Sequence, residues 1–247
     1  MPVIYLSPST QENNFFVSGG TEEAYMNLLA DAMVPYLNAS GIRYNRNTPD
    51  MTAASSIAAS NAGNYDLHLA LHSNAAPEGQ YGSVRGSIAF YYPGSPQGQR
   101  AARIIADGLK AIYPDPNLVR SEPATNIGEV RRVRAPAVLL ELAFHDNEED
   151  AAWIKGNIPT IARNLVLSLT EYFGIPFFSQ QLEQTGVADI SFGVLNIRAR
   201  PDRGSAVVAR VPDGTPLLIR NHYDGWYLVE YSGIVGYAAQ DFVTVLG

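Results

Sequence analysis

Cysteine is absent from this 247-residue chain. That excludes disulfides, thiolate zinc sites and a cysteine nucleophile. Lysine is nearly absent as well, with only Lys110 and Lys155, and the net charge is −7. The one basic cluster, Arg131-Arg132-Val133-Arg134, is short and follows Glu129. A nucleic-acid partner needs a broad basic footprint, so no nucleic acid is expected. No apolar run approaches the roughly 20 residues that span a bilayer, so no membrane span is expected. The opening Met1-Pro-Val-Ile-Tyr-Leu-Ser lacks the basic and long apolar stretches of a secretory leader. Histidine is scarce: His68, His72, His145 and His222 are the only side chains of that type. Few residues could therefore hold a transition metal.

What is present falls into two parts. The first alternates strand-like and helix-like stretches. Val3–Leu6 reads as a strand, and Thr21 can cap a helix from Glu22 to about Ala39, with Met26, Leu29, Ala30, Met33 and Leu37 at helical spacing. Ile42–Arg46, Asp66–His72, Gly86–Tyr92 and Ala137–Phe144 read as further strands, and Ala53–Asn61, Gln97–Ile112 and Ile158–Phe173 as further helices. This predicts an α/β fold, a mostly parallel sheet flanked by helices on both faces. The pattern breaks after Gly174-Ile-Pro-Phe-Phe. Short β-rich runs follow at Gly186–Val194, Leu195–Arg198, Val207–Val211, Pro216–Arg220, Trp226–Tyr231 and Ile234–Ala238, separated by turns such as Pro212-Asp-Gly and Tyr223-Asp-Gly. They suit a small all-β barrel. The expected division is 1–176, a linker over 177–185, and 186–247.

Within Asp66-Leu-His-Leu-Ala-Leu-His-Ser-Asn-Ala-Ala, alternation puts Leu67, Leu69 and Leu71 on one face and leaves His72 where the apolar pattern stops. Ligands of open α/β sheets bind at such strand ends. His72 is a candidate metal ligand or a buried, hydrogen-bonded histidine. His68 shares its face but lies roughly 13 Å away at ~3.3 Å per residue, and reads as structural. Glu141 interrupts the apolar run Pro136-Ala-Val-Leu-Leu-Glu-Leu-Ala-Phe. A buried carboxylate must be neutral, paired or turned to a polar site, and Arg131 and Arg46 are possible partners. His145, in the loop after that strand, could line the same cleft. Glu22 and Glu23 open the first long helix, where acids also simply complement the helix dipole.

These motifs carry a family resemblance. Residues 1–175 resemble zinc-dependent N-acetylmuramoyl-L-alanine amidases of the Amidase_3 class, the clostridial endolysin and cell-wall hydrolase type. The resemblance runs through Ile4-Tyr-Leu-Ser-Pro-Ser-Thr-Gln-Glu, Gly20-Thr-Glu-Glu, the His72 strand and Pro136-Ala-Val-Leu-Leu-Glu-Leu-Ala-Phe-His-Asp-Asn. It implies hydrolysis of the amide between N-acetylmuramic acid and L-alanine in peptidoglycan. It makes His72 a Zn2+ ligand, Glu141 the general base, and Glu22 or Glu23 a second ligand. Glu22 keeps the family's spacing to Leu29, Ala30 and Met33. Asn74 and Arg131 are candidate substrate contacts. The family's first zinc histidine is missing: Asn13 stands there, with Glu12 beside it as a possible carboxylate ligand. The alternative implied is a non-catalytic or weakly active amidase-like protein that binds the wall.

Residues 186–247 resemble a bacterial SH3-type domain through Leu195-Asn-Ile-Arg-Ala-Arg-Pro, Gly225-Trp-Tyr and Gly236-Tyr-Ala. Such modules commonly bind cell-wall peptides in this pairing, and Trp226, Tyr227 and Tyr237 are the candidate wall contacts. The expected place of action is the cell wall or extracellular space, reached by export or, for a prophage lysin, by release through a membrane pore.

Overall fold

The computed structural model describes residues 1–246. Three strands form the middle of the first sheet: β1 (Val3–Pro8), β3 (Leu67–Asn74) and β6 (Ala137–Phe144), paired in parallel. With β2 (Arg43–Arg46), β4 (Ser87–Tyr91) and β5 (Val119–Pro123) the order is β2-β1-β3-β6-β4-β5. β4 runs antiparallel to β6 and parallel to β5, so the sheet is mixed but mostly parallel. Leu67, Leu69 and Leu71 are fully buried, and so are Val138, Leu140 and Leu142. Near-continuous apolar strands of this kind belong to a sheet covered by helices.

The covering helices are α1 (Glu22–Ala39), α2 (Ala53–Ala62), α3 (Pro96–Lys110), the one-turn α4 (Gly128–Arg131) and α5 (Glu148–Phe173). Met26, Leu29, Ala30 and Met33 form the buried stripe of α1. The last helix starts ten residues before the expected Ile158. Asn147 caps it, its Oδ1 accepting from the N–H groups of Glu149 (3.0 Å) and Asp150 (3.1 Å). The periodicity was broken by a kink at Asn157 (φ −127°), two residues before Pro159. The proline ring clashes with the carbonyl four residues back and offers no N–H.

Contacts divide the chain into two compact units, one of Val3–Val34 and Tyr44–Tyr172, the other from Phe173 onward with Met1–Pro2 and Pro35–Arg43. The second carries β7 (Gln184–Ala188), β8 (Leu195–Arg198), β9 (Val207–Val211), β10 (Pro216–Tyr223), β11 (Trp226–Tyr231), β12 (Ile234–Ala239) and β13 (Val243–Leu246). All pair antiparallel in the order β13-β7-β10-β11-β12-β8-β9. Leu195, Ile197, Val211, Leu217, Ile219, Val229 and Val243 form its core. The strand expected over Gly186–Val194 ends at Ala188, and β13 closes the other edge of β7.

Candidate active site

On β3 the side chains of His68, Ala70 and His72 alternate onto one face, opposite the buried leucines. Register fixes their neighbours. Tyr5 and Ser7 of β1 lie beside His68 and Ala70, and Ala137, Leu139 and Glu141 of β6 lie beside His68, Ala70 and His72. One strip of the sheet thus carries a serine, two histidines and a glutamate.

Two helix ends add carboxylates to this strip. Thr21 Oγ1 accepts from Ala24 N–H at the start of α1 (3.2 Å), and Glu22 N–H donates to Asn14 O (2.8 Å). These bonds tie the loop after β1 to the helix that begins with Glu22, which is fully buried. Val130 of α4 packs against Ala70, Ala137 and Leu139, and this places Glu129 (5% exposed) over β1 and β3.

His72 (8% exposed) stands between these two carboxylates. Its Nδ1 is 2.8 Å from Glu22 Oε1 and its Nε2 is 3.0 Å from Glu129 Oε2. The Gln11 amide lies 3.2 Å from the same Nδ1. Asn14 Nδ2 donates to Glu22 Oε2 (2.7 Å) and to Gln11 Oε1 (3.0 Å), and Ser73 N–H reaches Glu22 Oε1 (3.3 Å). Glu129 Oε1 accepts from Ser7 Oγ (2.6 Å) and lies 3.3 Å from His68 Nε2.

Glu141 differs from its neighbours. Its Oε2 is buried with no hydrogen-bond partner. Neither arginine considered from the sequence neutralises it: Arg46 binds Asp31 and Asn27, and Arg131 is exposed on α4. Burial pushes the Glu141 carboxyl up to about 7, with His72 opposing and the Glu22 and Glu129 charges adding to the rise. Burial alone would lower His72, but its bonds to Glu129 and Glu22 outweigh this and raise it to about 10. Burial would likewise raise Glu129, yet His68 and His72 hold it down at about 2. Glu22 is lowered by His72 and Asn14 against its own burial.

The residues singled out from the sequence separate into two sets. Glu22, His72 and Glu141 converge. Glu12 and Asn13 are exposed on the turn after β1, hydrogen-bonded to none of the three, and Gln11 occupies the place beside His72 instead. His145 is buried behind the site, its Nδ1 3.0 Å from both the hydroxyl and the carbonyl of Ser73. Asn74 Oδ1 accepts from Ala75 N–H (2.9 Å) at the end of β3. Glu129 escaped notice because an acid in a polar Gly-Glu-Val-Arg turn carries no anomaly of composition.

In the second unit, Phe192 (97% exposed), Val194, Arg198, Arg203, Trp226 and Phe242 line a groove of about 330 Å3. Tyr237, expected on the surface, is fully buried and does not line this groove, its side chain lying on the inward face of β12. Tyr227 packs half-buried against the core.

Residues 10–170 match the family described as N-acetylmuramoyl-L-alanine amidase. The chain belongs to this family. Residues 193–244 match the bacterial SH3 domain, which makes this amidase a two-domain protein. No curated protein sequence matches the amidase chain. Among solved structures it is similar to the N-acetylmuramoyl-L-alanine amidase AmiC2 of Nostoc punctiforme, at 12% identity and a TM-score of 0.61, over 70% of this chain and 97% of the other. It is similar to the catalytic domain of the CD27L endolysin targeting Clostridia difficile, at 21% identity and a TM-score of 0.57, over 69% and 98%. Cwp6 from Clostridium difficile aligns at 21% identity and a TM-score of 0.62, over 69% of this chain and 29% of that one. At these identities the likeness establishes the fold.

A catalytic zinc takes three protein donors and keeps one position open. Among the described residues no three His, Cys, Asp or Glu side chains are grouped to hold a metal. Glu22 and His72 supply two donors in contact, and the remaining neighbour of Nδ1 is an amide. Rotation of the Gln11 side-chain amide would present its oxygen there, at the cost of its bond from Asn14. The charge balance points the same way. Glu22 and Glu129 are buried beside His72, and the half-buried Glu141 has a buried Oε2 with no donor. A divalent cation fits this donor set and its excess of negative charge.

Proposed function

We propose that this amidase hydrolyses the bond between N-acetylmuramic acid and L-alanine in peptidoglycan with zinc held by Glu22, His72 and the Gln11 side-chain oxygen. The observation that carries the reading is the unpartnered Glu141 carboxylate beside the Glu22–His72 pair. When bound, zinc supplies Lewis acidity toward the scissile carbonyl and acidifies water. Glu141 takes the proton of the attacking water and returns it to the leaving amine of L-alanine, work suited to a carboxyl with a pKa near 7. Glu22 and Gln11 fix the approach to His72 from the loop side. Asn74 and Arg131, on the elements flanking the strip, are the candidate contacts to the glycan and stem peptide.

An Oε2 buried without a partner is costly, and an inert wall-binding descendant would have no reason to keep it. Wall suspensions test the reading. The amidase should clear them and release new L-alanine amino termini without new reducing sugar ends. A chelator should abolish clearing and added zinc restore it; clearing that persists unchanged in chelator overturns the zinc assignment.

The catalytic part corresponds to residues 1–176 and the wall-binding part to 186–247, joined by 177–185. The aromatic groove of the second part, with Arg198 and Arg203 on its rim, suits stem peptides that carry free carboxylates. Trp226→Ala should weaken sedimentation with walls by about 30-fold, the size of an aromatic hot spot, while Tyr237→Phe leaves it unchanged. The site of action is the wall. No helix among the described residues is long and apolar enough to cross a membrane.

A further inference from the structure

We propose that Glu129 is a positioning residue for the metal site: its carboxylate spans His68 and His72, holds the His72 ring with Nε2 turned inward, and leaves Nδ1 as the atom that binds the ion. The inference rests on the zinc reading above and deepens it. Four residues apart on one strand, the two histidines share a face but cannot touch. Ala70 lies between them on that face, and so small a side chain leaves room for the carboxylate that Val130 anchors overhead.

Each Glu129 oxygen has its own task. Oε1 accepts from Ser7 Oγ (2.6 Å) and meets His68 Nε2 (3.3 Å), while Oε2 meets His72 Nε2 (3.0 Å). A carboxylate held at both oxygens cannot swing. His68 is fixed in turn by Ser60 Oγ at its Nδ1 (3.0 Å) and by stacking on Tyr5, with ring centroids 5.4 Å apart and planes 9° apart. Ser60, His68, Glu129 and His72 therefore form a strut from α2 to the site.

The two ring nitrogens of His72 point away from each other, so Glu129 and Glu22 face opposite edges of the imidazole. Glu129 is not a ligand of an ion bound at the Glu22 edge. An ion bound at the Glu22 edge would displace the Nδ1 proton, and Glu129, the acceptor at Nε2, would keep the ring's remaining hydrogen there. Ring orientation by a carboxylate on the far nitrogen is a general device of histidine metal sites.

The experiment titrates the full chain with zinc against a competing chelator and records 15N spectra of the histidine side chains. Zinc-loaded wild type should show His72 protonated at Nε2 and bonded through Nδ1. Glu129→Gln, which sets an N–H against one of the two histidines, should weaken zinc binding about 10- to 100-fold and mix the His72 tautomers. Ser7→Ala removes one bond to Glu129 without changing any charge, and should weaken zinc by a few fold in a folded protein. Wild-type affinity and an unmixed tautomer in both variants overturn the role of Glu129 and leave the zinc reading standing. A wild type that binds no zinc overturns both.

Discussion

Glu141→Gln should lower wall lysis by about 10^2- to 10^4-fold and leave the folded protein at least as stable as the wild type. The amide keeps the size and shape of the carboxyl but takes no proton. Stability should change with pH in a defined sense. The Glu141 pKa is raised from 4.5 to about 7 in the folded protein. Its contribution is fully present below pH 4.5 and is lost as the pH rises through 7. The lost part is on the order of 3 kcal/mol for a shift of this size. The variant lacks that loss. In chelator its melting temperature should match the wild type near pH 4.5 and exceed it at pH 8. Undiminished lysis would remove Glu141 from the chemistry, and equal melting at pH 8 would remove the burial cost.

His72→Ala should abolish lysis and also destabilise the metal-free protein, by about 3–5 kcal/mol near pH 6. At this chain length that is roughly 6–20 °C in melting temperature. The size follows from what is left behind. Glu22 and Glu129 lose the cation between them, and both remain buried. Two signs set the window. The His72 pKa is raised from 6.5 to about 10, so its contribution is complete below pH 6.5 and is lost as the pH climbs through 10. The Glu129 pKa is lowered from 4.5 to about 2, so its contribution is complete above pH 4.5 and is lost as the pH falls through 2. The gap between variant and wild type should be widest from pH 4.5 to 6.5 and close toward both extremes. Thermal unfolding across that range measures it, and a gap constant with pH would mean that packing alone holds the ring.

The parts of the site legible in the sequence were those that break a local pattern. Glu141 stood out as a charge in an apolar strand, and His72 as the polar end of an alternating one. Glu22 was legible only in combination, since acids open many helices. Glu129 broke nothing, because its one-turn helix is defined by Val130 packing on Ala70, a contact across the fold that no local spacing encodes. Gln11 was overlooked for a similar reason. The turn that closes on Asn14 N–H, bonded to Gln11 O at 3.4 Å, leaves Glu12 and Asn13 outward and swings Gln11 toward His72. Tyr237 was misread in the other direction, because counting aromatics does not say which face of a doubly paired strand they occupy. The alternation of strands and helices carried the sheet itself, apart from β5, β13 and the kinked first half of α5.

The sites of contact along the chain bear on how activity arises. His72 meets Glu22 across 50 residues and Glu129 across 57, and Ser7 reaches Glu129 across 122. The strip that gathers them is built by parallel pairing of β1, β3 and β6, the kind of non-local closure that is slow to form. A chain emerging from the ribosome cannot hold the whole set, with Glu141 beside His72, until residue 141 has joined the sheet. Under the function proposed above, hydrolytic competence therefore needs the chain from Ser7 through Glu141, and a fragment that stops short of Glu141 should clear no walls.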